Sequence, residues 1–436
     1  MLARLKAFAD SLAQSPLRVA LLIGLAAELL FVFHLGQPTQ PFFDETHYLP
    51  AARGLLALDM PRNTEHPLLG KELLAAGIAL FGDNPMGWRL IPTLFGAATI
   101  MGVFAFLWLL LRNTRLAVLG AVLALFNQMV FIQARIAMLD VFLGAFIVWA
   151  LVMFLWAAEG TPKQVRRRWI AGSALLGLAV AVKWAAIPYE AMAGLAFILL
   201  RLRDAWRAKK PFATAFGAKD QPHWAGLGTF QGLLLMGAVS IPIYFVTFAP
   251  AFFYDQNPLT LATLIPFQID MYAQQTQVLA AHTYQSSWYQ WPLISRPIWY
   301  FYEEDMGTWR GVLLVGNPLI MWGGVLAVLL CLIAWIETRA LRPAAMALLW
   351  IASVAIYIII PKSLGFYYYY YLSSIFLCFV LPIALDLLDP QRKFGLGEWF
   401  AAAAFLVFFY FYAILSAEPL EGPMSFQYWM WFDSWR

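Results

Sequence analysis

The sequence predicts an all-α integral membrane protein, a bundle of about eleven transmembrane helices. Three observations carry that reading. Hydrophobic residues make up 62% of the 436 and charged residues only 12%, whereas an average soluble domain carries about 25% charge. Apolar runs long enough to cross about 30 Å of hydrocarbon recur along the whole chain. Connecting segments rich in Lys and Arg alternate with segments that are not, as the positive-inside rule requires.

In chain order, Arg4, Lys6 and Arg18 precede the apolar run 19–35. No small-residue cleavage site follows, so this run is expected to be an uncleaved first helix with a cytoplasmic start. Glu28 within it is expected to face the bundle interior. Residues 36–85 then form a first outer loop. Its apolar stretches 49–58 and 71–81 are too short to span and are expected to be helices lying along the membrane surface. Further spans are expected at 86–111, 116–133, 140–157, 169–182, 187–200, 229–248, 312–336, 344–360, 371–388 and 399–415.

The basic segments between them, including Arg166-Arg167-Arg168 and the stretch from Arg201 to Lys219, fall on the cytoplasmic side. A long outer loop covers 250–311, and a Trp-rich tail ends the chain outside. The 19 Trp and 18 Tyr suit aromatic belts at the two interfaces; the run Tyr367–Tyr371 is expected to be one such belt, with lining an apolar ligand tail as the alternative. Cys331 and Cys378 lie in apolar runs and read as buried packing residues. We read residues 1–436 as one polytopic domain with no internal repeat. A net charge of +4, small and dispersed, implies no nucleic-acid partner.

The chemistry concentrates in the stretch 43–71, FDETHYLPAARGLLALDMPRNTEHPLLGK. Adjacent carboxylates, Asp44 and Glu45, precede His47 and Tyr48, and Glu65, His66 and Lys71 follow. Ionisable groups beside a membrane span are expensive and mark function. The predicted topology gathers more of them on the same outer side: Arg89, Arg135, Asp140, Lys183, Glu190, His282, Arg296, Glu303-Glu304-Asp305 and Lys362. A transporter would scatter such groups near the midplane, so one-sided clustering favours an enzyme of the outer leaflet. Carboxylates there can deprotonate an acceptor hydroxyl, and cations can hold a phosphate and stabilise it as it leaves. No glycine-rich phosphate loop is evident, so a lipid phosphate fits the donor better than a sugar nucleotide. Glu303-Glu304-Asp305 raises a divalent cation as a candidate, but three consecutive acids rarely converge on one ion and no metal site is assigned. His66 lacks a second histidine at metal spacing.

Phe43-Asp44-Glu45 with His47-Tyr48, then Glu65-His66-Pro67-Leu68 and Lys71, resembles the first luminal loop of the dolichyl-phosphate-mannose–protein mannosyltransferases. Arg89, the turn from Arg135 to Asp140, and Arg296-Pro297 with Trp299-Tyr300 match as well. That family has Asp-x-His-Pro-Pro-Leu-x-Lys where this chain has Glu65 directly before His66, and Leu68 for the second proline. Its eukaryotic members insert a β-trefoil module in the long outer loop, for which residues 250–311 leave no room, so the resemblance is to the bacterial type without that module.

The resemblance implies a GT-C glycosyltransferase fold, with an inverting transfer of mannose from a polyprenyl-phosphate donor to Ser/Thr hydroxyls of exported proteins. It makes Asp44 the general base and Glu45 its acceptor-orienting partner. Arg89, Arg135 and Lys71 become donor-phosphate ligands, Lys71 alternatively a residue snorkelling to the interface, and Glu65, His66, His47 and Arg296 acceptor or structural support. Lys183, from its place on the outer side, is either a further phosphate ligand or an outer-face anchor. Transfer to lipid A or another envelope lipid is the alternative within the enzyme class, and a polyprenyl-phosphate-sugar transporter or flippase the alternative outside it. The expected setting is the inner membrane, with the N-terminus cytoplasmic and the active site facing outward.

Overall fold

A computed structural model describes residues 15–219, 221–360 and 363–436; Arg4, Lys6 and Lys362 lie outside the described residues. The first helix, α1 (Pro16–Val32), is followed by two 13-residue helices, α2 (Glu45–Ala57) and α3 (Leu69–Phe81). At 1.5 Å per residue each of the latter is about 20 Å long, short of a span. Next come α4 (Pro85–Leu111), α5 (Thr114–Leu125), α6 (Gln128–Ala134), α7 (Asp140–Ala157), α8 (Pro162–Val182), α9 (Ile187–Arg207) and α10 (Thr229–Val246). The long loop contains α11 (Leu264–Thr276) and a hairpin, β1 (Ile298–Asp305) and β2 (Thr308–Leu314). The chain closes with α12 (Pro318–Thr338), α13 (Leu341–Ile359), α14 (Tyr371–Leu388) and α15 (Leu396–Leu415).

Among the described residues eight helices are long and apolar enough to cross a membrane, or nine if the bent pair α5 and α6 is one span. The expected count of eleven is therefore not reached by this measure. Two expected spans fall short for visible reasons. α1 has 17 residues, and α8 opens on Lys163 and Arg166–Arg168, so that its apolar part begins only at Trp169. The span expected at 116–133 is broken by 64°. Asn127 makes that break tolerable: its side chain accepts from Met129 N–H and donates to Ser374 Oγ, while Asn317 Nδ2 donates to the Phe126 carbonyl. Backbone groups freed inside a bundle need such partners.

The hairpin corrects a purely helical reading. Its strands pair antiparallel from Ile298↔Leu314 to Asp305↔Thr308. The turn uses Met306 and Gly307 at φ 54° and 75°, the left-handed pair that two-residue hairpins favour. Val312–Leu314, read as the start of a helix, are strand residues; that helix starts after Asn317, whose side chain accepts from Leu319 N–H.

α4 packs against α1, α3, α5 and α7, and α14 is the most enclosed of the helices long enough to span, buried at every residue from Tyr371 to Ala384. Ion pairs Arg112–Glu159 and Arg115–Glu398 tie one end of the bundle. The first loop, the turn before α7, the turn before α9, the hairpin and the C-terminal tail meet at the other end, joined by His34–Glu418 and Thr39–Asp305.

Candidate active site

Asp44 is the N-cap of α2 and Glu45 its first residue, where a helix dipole favours negative charge. The residue before them, Phe43, has φ 49°, a left-handed conformation that costs a bulky residue about 1–3 kcal/mol. That conformation lays the Phe43 ring on Tyr300, with centroids 3.9 Å apart and planes at 20°. It also sends the two acids into different surroundings.

Glu45 is fully buried and makes a two-pronged pair with Arg89, Nε to Oε1 and Nη2 to Oε2 both at 2.8 Å. It also accepts Ala137 N–H at 2.9 Å and Phe42 N–H at 3.3 Å. Arg89 is equally buried and gives its other N–H groups to the carbonyls of Leu35, Pro38 and Gln40. All five guanidinium donors are thus taken. This corrects the expectation that Arg89 holds the donor phosphate: the guanidinium has neither surface nor a spare donor. Glu45 likewise has no oxygen turned to an acceptor.

Arg135 is also turned away from a donor phosphate, toward the end of α1. Its Nη1 donates to the carbonyls of Phe31 and Phe33 at 2.5 and 2.6 Å, and its guanidinium lies over the Phe131 ring at 5.0 Å. It closes the C-terminal end of α1, where carbonyls lack helical partners. Lys71 is fully buried and donates to the carbonyls of Asn63 and His66, both at 2.7 Å. It pins the 63–66 turn, and burial pushes its ammonium down to about 7. Arg296 donates to the carbonyls of Thr283, Ser434 and Arg436 and so staples the long loop to the tail.

Asp44 is different: it stays partly exposed. Tyr48 OH approaches its Oδ2 at a long 3.5 Å. Burial pushes the Asp44 carboxyl up to about 6; Lys183 opposes the rise and Asp140 adds to it. Lys183, 7% exposed, donates to Asp140 Oδ2 at 2.7 Å and sits 5.6 Å from the Tyr368 ring centre. Tyr300 receives the Gln133 amide at 3.2 Å, and Tyr369 completes the aromatic wall. Of the predicted phosphate ligands, Lys183 is the one brought to Asp44.

His66 lies with its ring 6.2 Å from that of Tyr48, Glu65 accepts from Asn63 Nδ2 at 2.6 Å, and His47 is exposed on α2. The 63–66 turn is also gripped by α11: Thr64 Oγ1 donates to Gln274 Oε1, and Gln275 Nε2 donates to the Glu65 carbonyl. The run Tyr367–Tyr371 is not a belt: Tyr367, Tyr370 and Tyr371 are buried and Tyr368 faces the site. Among the described residues no three His, Cys, Asp or Glu side chains gather into a metal-holding group. Glu303 and Glu304 are exposed and alternate along β1, and Asp305 is engaged by Thr39 and faces Arg310.

Asp140 and Tyr300 are the site residues that sequence reasoning did not assign. Both stood in matched motifs, and their relation to Asp44 depends on long-range packing.

The chain is a helical membrane bundle that gathers a buried cation and a partly exposed acid at one end, and comparison shows the GT-C fold of membrane glycosyltransferases. The chain superposes on a Saccharomyces cerevisiae protein O-mannosyltransferase, in the Pmt1-Pmt2 complex bound to the sugar donor, with TM-score 0.77 and 13% identity over 97% of this chain and 92% of that one. ArnT from Cupriavidus metallidurans bound to undecaprenyl phosphate gives 0.59 and 18% over 91% and 70%. Residues 21–253 match the family model of dolichyl-phosphate-mannose-protein mannosyltransferase, and 260–435 the C-terminal four-helix region of protein O-mannosyltransferases.

Polyprenol-phosphate-mannose–protein mannosyltransferases are 26% identical in Mycolicibacterium smegmatis, over 97% of this chain and 93% of that protein, and 27% identical in Corynebacterium glutamicum, over 69% and 68%. The chain belongs to the dolichyl-phosphate-mannose-protein mannosyltransferase family and is a multi-pass membrane glycosyltransferase.

Proposed function

We propose that the protein transfers mannose from polyprenyl-phosphate mannose to Ser or Thr hydroxyls of exported proteins, with Asp44 as general base. The observation that carries the site is the contrast at positions 44 and 45. Glu45 is consumed by Arg89, whereas Asp44 keeps an open carboxylate next to a buried cation. A base held near 6 is mostly ionised at neutral pH yet basic enough to take a hydroxyl proton.

In the transfer the acceptor oxygen bonds to the sugar's C1 as the C1–O bond to phosphate breaks, with inversion. The hydroxyl proton goes to Asp44, and the polyprenyl phosphate leaves beside Lys183, whose charge offsets the developing negative charge. Glu45, Arg89, Arg135 and Lys71 hold the first loop in place, and Glu65 with His66 borders the acceptor side next to Tyr48. A protein acceptor is supported by both family models and the curated relatives. The basic segments at the far end of the bundle support an inner-membrane setting with the N-terminus cytoplasmic and the site facing outward.

The test is transfer by protein reconstituted in liposomes, using labelled polyprenyl-phosphate mannose with a Ser/Thr-rich peptide and, separately, extracted envelope lipid. Label on the peptide that vanishes in Asp44→Asn is the expected result. Label on lipid alone would move the acceptor to the envelope, and full activity in Asp44→Asn would overturn the base.

A further inference from the structure

We propose that Asp140 is a positioning residue that holds the Lys183 ammonium away from Asp44, keeping that carboxylate free for the acceptor and the ammonium for the donor phosphate. The inference rests on the reading of Asp44 as base. Lys183 has two carboxylates in electrostatic reach and is bonded to one of them: Asp140 at 2.7 Å. The carboxylate fixes the cation, and not the reverse. Asp140 is the first residue of α7, and the residue before it, Leu139, is locked against α3, where a Cβ at Gly70 would stand 2.6 Å from Leu139 Cδ2. Lys183 reaches in on a flexible four-carbon stem from the end of α8. Of its three N–H donors one goes to Asp140, and the ammonium lies 5.6 Å from the centre of the Tyr368 ring.

The other titratable groups that face Asp44 are His47 and Tyr48 from α2, Tyr300 from β1, and Tyr368 and Tyr369 ahead of α14. None is a permanent cation. If Asp140 loses its charge, the ammonium therefore turns to Asp44. The base is tied up, its ionisation moves to lower pH, and the leaving phosphate loses its partner.

The experiment is the pH dependence of kcat/KM for the full-length protein in liposomes, with polyprenyl-phosphate mannose and an acceptor peptide. Asp140→Asn is expected to cut kcat/KM at least tenfold and to move the acid limb down by about one pH unit. The limb is expected to move by clearly less when the change is made in the Lys183→Met background, where only the direct effect of the Asp140 charge on Asp44 is removed; an equal shift in both backgrounds would overturn the inference. Asp140→Glu is expected to restore most of the rate and the limb, and Lys183→Met to move the limb up. A rate loss in Asp140→Asn with the limb unmoved, or moved up, would show a merely structural role and sink the inference. Should Asp140→Asn fail to fold, an unmoved limb in Lys183→Met overturns it equally. Asp44→Asn separates the two levels: retained transfer there removes the base itself, while an inactive Asp44→Asn beside an unmoved Asp140→Asn limb removes only the role of Asp140.

Discussion

Two regions share the end of α2, and they treat charge in opposite ways. Behind the helix, Glu45, Arg89 and Arg135 form a wedge in which every guanidinium donor of Arg89 has a protein acceptor, and both arginines clamp residues 31–40. In front of it, Asp44, Lys183 and Asp140 form a pocket with an odd number of charges, where one carboxylate lacks a dedicated cation. The wedge spends its electrostatics on shape. The pocket keeps some in reserve, at a cost in desolvation, and that reserve is what a reaction can draw on. Two neighbouring acids in a motif can therefore serve unlike ends.

The sharpest way to break this contrast is Asp44→Asn, expected to lower transfer by roughly 10²–10⁴-fold with folding intact. The same variant should melt above wild type at neutral pH. The raised carboxyl makes ionised Asp44 a liability to the fold, one that appears as pH rises from about 4 through 6 and is absent below that range. If Asp44→Asn instead melts lower, the acid belongs to the wedge.

Next in size is Arg89→Ala, which strands a buried Glu45 and should cost about 3–5 kcal/mol. It is read as thermal unfolding in detergent, with activity falling only in step with the folded fraction. Wild-type kcat/KM should rise with pH through about 6 as Asp44 ionises, and a flat profile there would remove the base. Arg135→Ala uncaps α1 and should cost about 1–3 kcal/mol. The smallest effect belongs to Arg296→Ala, about 1 kcal/mol, with transfer changed less than twofold, since it staples the tail away from Asp44.

Most of the bundle was legible in the sequence because apolar length and Pro or Asn at helix starts are local signals. Asn84-Pro85 shows this: the Asn84 side chain accepts from Met86 and Gly87 N–H, and α4 starts where expected. The hairpin was not legible. Val312–Leu314 run almost without break into the apolar α12, and only Asn317-Pro318 marks the border. At the site, Asp44 was readable as an acid beside a span, but which cation meets it was not. Arg89, Arg135, Lys71 and Lys183 look alike as charges. Their roles diverge because three of them meet backbone carbonyls, a matter of tertiary geometry that residue type does not carry.

The arginine wedge also has a consequence for biosynthesis. The carbonyl of Phe31 waits for a guanidinium 104 residues further along the chain, and Glu45 for one 44 residues on. As the chain leaves the ribosome, the first helix and the loop after it are made long before the groups that shape them. The first loop therefore gains its full fastening only once Arg135, just after α6, has been made, and a chain stalled before Arg135 would carry Asp44 on a loop without that fastening.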